Sequence, residues 1–234
     1  MTIRSLEKLL VVGIAAGLLG CAPIPIADEE GAAQLGELAT AGNWNAVVNA
    51  SIRCSERGDA CAKQYAAKGD ACLRLAIQQP QSASVRDNRT QKLLDCAVES
   101  YRNALQQAPS DAPSRTSYHG GLLLTLSEQR NRLDSRTPDS QRERNNETLL
   151  MAAQDARREV PSSALGYLYG ASAHVYRAAL KPDPRHRCSD LRQAESMLKR
   201  SPPPPPTLAD EAARLKSLVA RQLRESRCPT IRRR

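Results

Sequence analysis

Ala97-Val-Glu-Ser-Tyr101-Arg-Asn-Ala104-Leu-Gln-Gln-Ala-Pro109 is the stretch whose reading decides the fold. Ala97, Tyr101 and Ala104 lie four and three residues apart. On an α-helix that spacing puts all three on one face. The alanines let a neighbouring helix come close, and the single ring between them fills the space that remains. Pro109 cannot continue a helix, so the element ends just before it. Upstream, the amphipathic pattern reaches back to Arg86, which predicts one long helix over Arg86–Gln107.

Working outward, Pro and Gly punctuate the chain into further helices. They are expected over Ala32–Ala41, Asn43–Ser55, Asp59–Gln78, Ser114–Leu133, Ser163–Lys181 and Cys188–Lys199. Another presents Leu149, Leu150, Ala153 and Ala156 and stops at Val160-Pro161, with Ser140 and Glu143 as a capping box at its start. The last carries Leu208, Ala212, Leu215, Val219 and Leu223 on one stripe, with Thr207 as its cap. It follows the run Pro202–Pro206, a stiff connector or a polyproline II ligand. No segment has the alternation of a strand. Aromatic residues are only 3% of the chain and Phe is absent, so the core must be Leu, Ala and Val. The expected fold is all-α, a stack of antiparallel helical hairpins joined by short turns. Residues 32–133 and 147–234 are its two helical regions, with a polar linker or loop over 134–146.

Seven cysteines are present. Cys54, Cys61, Cys72, Cys96, Cys188 and Cys228 form an even set that is open to many connectivities. Symmetry favours one of them. Cys54 and Cys61 flank the turn at Gly58, Cys72 and Cys96 flank the loop after Pro80, and Cys188 and Cys228 bracket the last helical pair. Residues equidistant from a turn face each other on antiparallel helices. Sequential pairing therefore staples three hairpins. The absence of a Cys-x-x-Cys pair argues against a redox enzyme or zinc ribbon.

The seventh cysteine has a different setting. Arg4 and Lys8 precede an apolar run over Leu9–Leu19, too short to span a bilayer. Leu18-Leu19-Gly20-Cys21 then resembles a bacterial lipobox. The resemblance implies that residues 1–20 are a signal peptide and that Cys21 carries acyl chains such as palmitate. It also implies that residues 21–31 are a tether. Ala22, in place of Asp, implies by resemblance to Gram-negative lipoproteins the periplasmic face of the outer membrane.

The spacing of Ala97, Tyr101, Ala104 and Pro109 resembles the second helix of a tetratricopeptide repeat. Gly42-Asn-Trp44 resembles the turn inside such a repeat. Leu38–Trp44 and Tyr65–Ala71 share a theme, with Gly42 and Gly69 read as tight-turn positions. Their separation is shorter than that family's period. The resemblance implies a divergent tetratricopeptide-like domain that binds a partner protein.

Little points to catalysis. There is no H-E-x-x-H, G-x-S-x-G or Gly-rich phosphate loop, and Ser196-Met-Leu-Lys199 lacks companion motifs. The three histidines, His119, His174 and His186, form no ligand pattern. Gly120-Gly121, Gly166 and Gly170 fall within helices and suit close packing. Asn146-Glu-Thr148 is a glycosylation sequon that a bacterial lipoprotein would not normally use. The net charge of +9 is scattered apart from Arg185-His186-Arg187 and Arg232–Arg234. It suits a solvated face, an anionic lipid surface or an acidic partner, and a periplasmic protein rarely meets nucleic acid. The expectation is a non-enzymatic scaffold with no metal and no cofactor. It is anchored to the membrane by its lipid and bound to an unidentified periplasmic or outer-membrane protein, as an accessory to secretion, pilus or outer-membrane protein assembly. A peptidoglycan-associated enzyme or activator is the alternative from another class, and a structural or stress lipoprotein without a dedicated partner is the other.

Overall fold

A computed structural model of the chain describes residues 25–54, 56–80, 88–133 and 136–229. Cys21 and residues 1–20 lie outside the described residues. The elements are β1 (Pro25–Ala27), α1 (Asp28–Thr40), α2 (Trp44–Asn49), β2 (Ser51–Arg53), α3 (Asp59–Gln78) and α4 (Asn88–Gln107). They continue with α5 (Arg115–Asn131), α6 (Asp139–Glu159), α7 (Leu165–Leu180), α8 (Pro184–Arg200), a 3₁₀ turn over Pro206–Leu208 and α9 (Ala209–Glu225). The fold is all-α in its bulk and stapled by disulfides.

Successive helices from α3 to α8 pack side by side, and their cross-contacts fix the direction. Tyr101 meets Gly121 while Gln129 donates to Asp95, so α4 and α5 run antiparallel. Asn146 donates to the Ala173 carbonyl while Ala153 touches Gly170, so α6 and α7 do too. His174 meets Asp190 while Gly170 meets Met197, which sets α7 against α8 in the same sense. The connections are short, and that leaves antiparallel neighbours as the accessible arrangement.

The main core runs through α3 to α7 and joins Leu94, Ala97, Tyr101, Leu123, Leu149 and Ala153. A second core lies between α7, α8 and α9 around Leu191, Met197 and Val219. A third seats Leu35 and Val47 of the first hairpin on Ala71 of α3. Alanine and leucine make up most of all three, as the scarcity of rings requires. Gly42 turns the chain between α1 and α2 at φ +73°, a conformation that favours glycine. Asn43 then caps α2 by accepting from Ala46 N.

Several local expectations need correction. The segment read as one helix over Asn43–Ser55 ends at Asn49, because Ala50 turns extended at ψ 134°. Ser51–Arg53 instead pairs in parallel with Pro25–Ala27, Ile52 opposite Ile26. These three-residue strands are too short to show a period. α6 begins at Asp139, inside the span read as a polar loop, and neither Ser140 nor Glu143 caps it. α8 begins at Pro184 rather than at Cys188, with Pro184 as a first-turn proline behind the Asp183 cap. Thr207 does not cap α9, since it lies inside the 3₁₀ turn and Leu208 precedes the helix without a side-chain cap.

The three disulfides are 54–61, 72–96 and 188–228. Cys72 and Cys96 bridge α3 to α4, with Cα atoms 6.1 Å apart. Cys54 is not helical. Its bridge ties the end of β2 to the first turn of α3, so symmetry about Gly58 gave the correct pair for the wrong element. Cys228 follows α9, and its bond to Cys188 of α8 closes a segment of 40 residues around the proline run.

Candidate functional site

Tyr101 sets the spacing of the helices that build the site. Its side chain is 2% exposed. One face of the ring lies 3.1 Å from where a Cβ of Gly69 on α3 would stand, and a Cβ at Gly121 of α5 would overlap the ring. Two helices therefore close on one ring because each lacks a side chain there. Gly69 is interior to α3 and is no turn. The Tyr101 hydroxyl donates to Asp70 Oδ1 at 2.5 Å. Burial pushes the Asp70 carboxyl up, and the Tyr101 hydrogen bond opposes that. Burial, then the Asp70 charge, pushes the Tyr101 phenol well above its ordinary range. Ala97 belongs to the same core as Tyr101, whereas Ala104 packs one turn further with Ala62, Ala108 and Tyr118. Pro109 is exposed just beyond the end of α4.

Beside this seat, Arg115 joins three helix ends. Its Nη1 donates to the Leu105 and Ala108 carbonyls at 2.9 and 3.0 Å, satisfying acceptors that the end of α4 leaves open. Its Nη2 donates to Glu159, the last residue of α6. His119 Nε2 lies 3.0 Å from the same Glu159 Oε2. Burial alone would raise the Glu159 carboxyl. The hydrogen bonds and charges of Arg115 and His119 more than offset that and hold it below the usual range. An ionised Glu159 accepts, so Nε2 of His119 carries the proton. The ring is 3% exposed, and Nδ1 is buried without a partner. The pair ties α5 to α6.

Above this clasp, α4, α5 and α6 enclose a cleft of about 530 Å³. α5 gives the floor, with His119 and Leu122. Leu105 and Arg102 stand on the α4 wall. Thr148, Met151 and Asp155 stand on the α6 wall. Its size is that of a ligand or peptide pocket. Met151 is 61% exposed at the rim, one of three large apolar side chains left exposed among the described residues. Arg102 is exposed and forms no ion pair among the described residues, whereas Asp155 is paired with Arg158 at 2.8 Å. The cleft thus offers apolar surface and one uncommitted cation.

A second cleft of about 460 Å³ lies between α6, α7 and α8 and is lined mostly by charged side chains. Its charges are largely spent on one another. Lys181 meets Glu143 at 2.5 Å, and Arg177 meets Asp190 at 2.6 Å and Glu147 at 3.5 Å. Burial would raise the Asp190 carboxyl, but hydrogen bonds from buried His174 and from Arg177 hold it low. Nearby, Asn146 of the sequon is 1% exposed and bonded to Ala173, so its amide is out of reach of a sugar.

Among the described residues, no group of three or more His, Cys, Asp and Glu is arranged to hold a metal ion, and no helix is long and apolar enough to cross a membrane. No protein-family model, curated protein or solved structure matches the chain. The clasp of Arg115, His119 and Glu159 escaped sequence reading because Glu159 stands 44 and 40 positions from its two partners and the three follow no motif. The one signal was Gly120-Gly121, a pair of small residues that marks where α5 is approached closely.

Proposed function

We infer that the chain is a non-enzymatic envelope lipoprotein, acylated at Cys21 and held on the periplasmic face of the outer membrane. Its helical stack offers the α4–α5–α6 cleft to a segment of a partner protein that carries apolar side chains and a carboxylate. The observation behind this reading is the cleft itself, where exposed Met151 and half-buried Leu105 line the walls beside the unpaired Arg102. Apolar area drives such docking, and a single charge orients it. An accessory role in secretion, pilus or outer-membrane protein assembly is consistent with a lipid-held binding module.

Two experiments test the reading. A photo-crosslinking residue placed at Met151 is expected to trap one discrete periplasmic or outer-membrane partner, and Arg102→Glu to reduce that adduct strongly. A control position at Arg221 on α9 should trap none. Equal adducts from both positions would overturn the cleft as the docking surface. For the anchor, cells fed a clickable palmitate should label the wild type and leave Cys21→Ser unlabelled. An unlabelled wild type would remove the lipoprotein reading.

A further inference from the structure

The proline run between α8 and α9 takes no part in the cleft. Each residue from Ser201 to Pro205 precedes a proline, which excludes the helical region for it, and each proline also fixes its own φ. The ends of the run show the result: Ser201 has φ −62° and ψ 133°, and Pro205 has φ −60° and ψ 156°. Both are polyproline II values. That helix has three residues per turn, so Pro203 and Pro206 share one edge, about 9 Å apart. Both are exposed, as is Pro205 on another edge, whereas Pro202 and Pro204 are half-buried.

Three residues before Pro203 stands Arg200, in the last turn of α8. It is exposed, and its Nε reaches only Ser196 O of its own helix, at 3.4 Å. The neighbouring Lys199 is engaged with Glu195 at 2.7 Å. In sequence, one uncommitted cation and the two exposed prolines of that edge therefore follow one another at an interval of three. A connector needs stiff prolines. It does not need an edge turned to solvent or a free guanidinium in the helical turn just before it.

We propose that Arg200–Pro206 is a docking surface for a protein domain with an aromatic-lined groove that carries a carboxylate at one end. The two exposed prolines fill slots between aromatic rings, and Arg200 meets the carboxylate. The segment is ordered before binding, because α8 and α9 hold its ends and the Cys188–Cys228 bond closes the loop that contains it. Little conformational entropy remains to be lost on docking. This surface is separate from the cleft and does not depend on the role proposed for it.

The test titrates the whole protein into a purified SH3 domain of the class that accepts an Arg-first proline ligand, read by tryptophan fluorescence of its groove. Saturable binding is expected. Pro203→Ala/Pro206→Ala and Arg200→Glu should each weaken it by about tenfold or more, while Pro204→Ala, on another edge, should change it by about twofold at most. Thermal melts of each variant separate lost binding from lost fold. If the double variant melts early, Arg200→Glu decides, since that side chain bonds only within its own helix. No saturable binding by the wild type, or unchanged binding by Arg200→Glu, would overturn the proposal.

Discussion

Tyr101→Ala is expected to lower the free energy of unfolding by about 3–5 kcal/mol, a large share of the ~5–15 kcal/mol of a typical domain. The ring holds α3, α4 and α5 apart at one point, and the glycines facing it have no side chain to move into the void. Tyr101→Phe should cost only about 1 kcal/mol, the bond to Asp70. The mirror experiment is Gly121→Ala, whose new methyl overlaps the ring and should cost about 1–3 kcal/mol. In the Tyr101→Ala background the same methyl enters empty space, so its penalty should vanish or reverse. Urea unfolding of the four members of this cycle checks it. Additive costs would show that the ring and Gly121 do not share one seat.

Cys72→Ala/Cys96→Ala should also be strongly destabilising. The bond closes a segment of 24 residues, and releasing it should lower stability by about 3 kcal/mol through the greater freedom of the unfolded chain. Cys54→Ala/Cys61→Ala spans only 7 positions and should cost nearer 2 kcal/mol on the same argument. Denaturant midpoints measured on the oxidised protein give both values. A reversed order would mean that native-state packing around each bridge, rather than loop length, governs its contribution. Non-reducing peptide mapping should recover the 72–96 pair directly.

Much of the helical layout was legible because prolines and glycines interrupt long amphipathic runs. α4 could be read from Ala97, Tyr101 and Ala104 alone, and the cysteine pairs from their symmetry about turns. What escaped reading lacks a local cause. Ser51-Ile-Arg53 becomes extended because Pro25–Ala27 lies beside it, a partner more than twenty positions away. The first turns of α6 are polar, so they resemble a loop until packing on α5 and α7 makes them helical. Gly69 reads as a turn by composition, yet it lies inside α3, where its missing side chain leaves room for a ring from another helix. The cleft was illegible for the same reason, since its floor and two walls come from three helices.

The bond between Cys188 and Cys228 also decides how the molecule carries load. Tension applied between the N-terminal segment and the residues past Cys228 passes straight across the sulfurs. The intervening 40 residues, about 140 Å of extended chain, stay slack. In a single-molecule pulling experiment the contour gained on full unfolding falls short by that length, together with the shorter segments closed by the other two bonds, until a reductant is added. Most of α8, all of α9 and the polyproline edge form a mechanically shielded ring, able to keep a bound partner while the helices before it are drawn out.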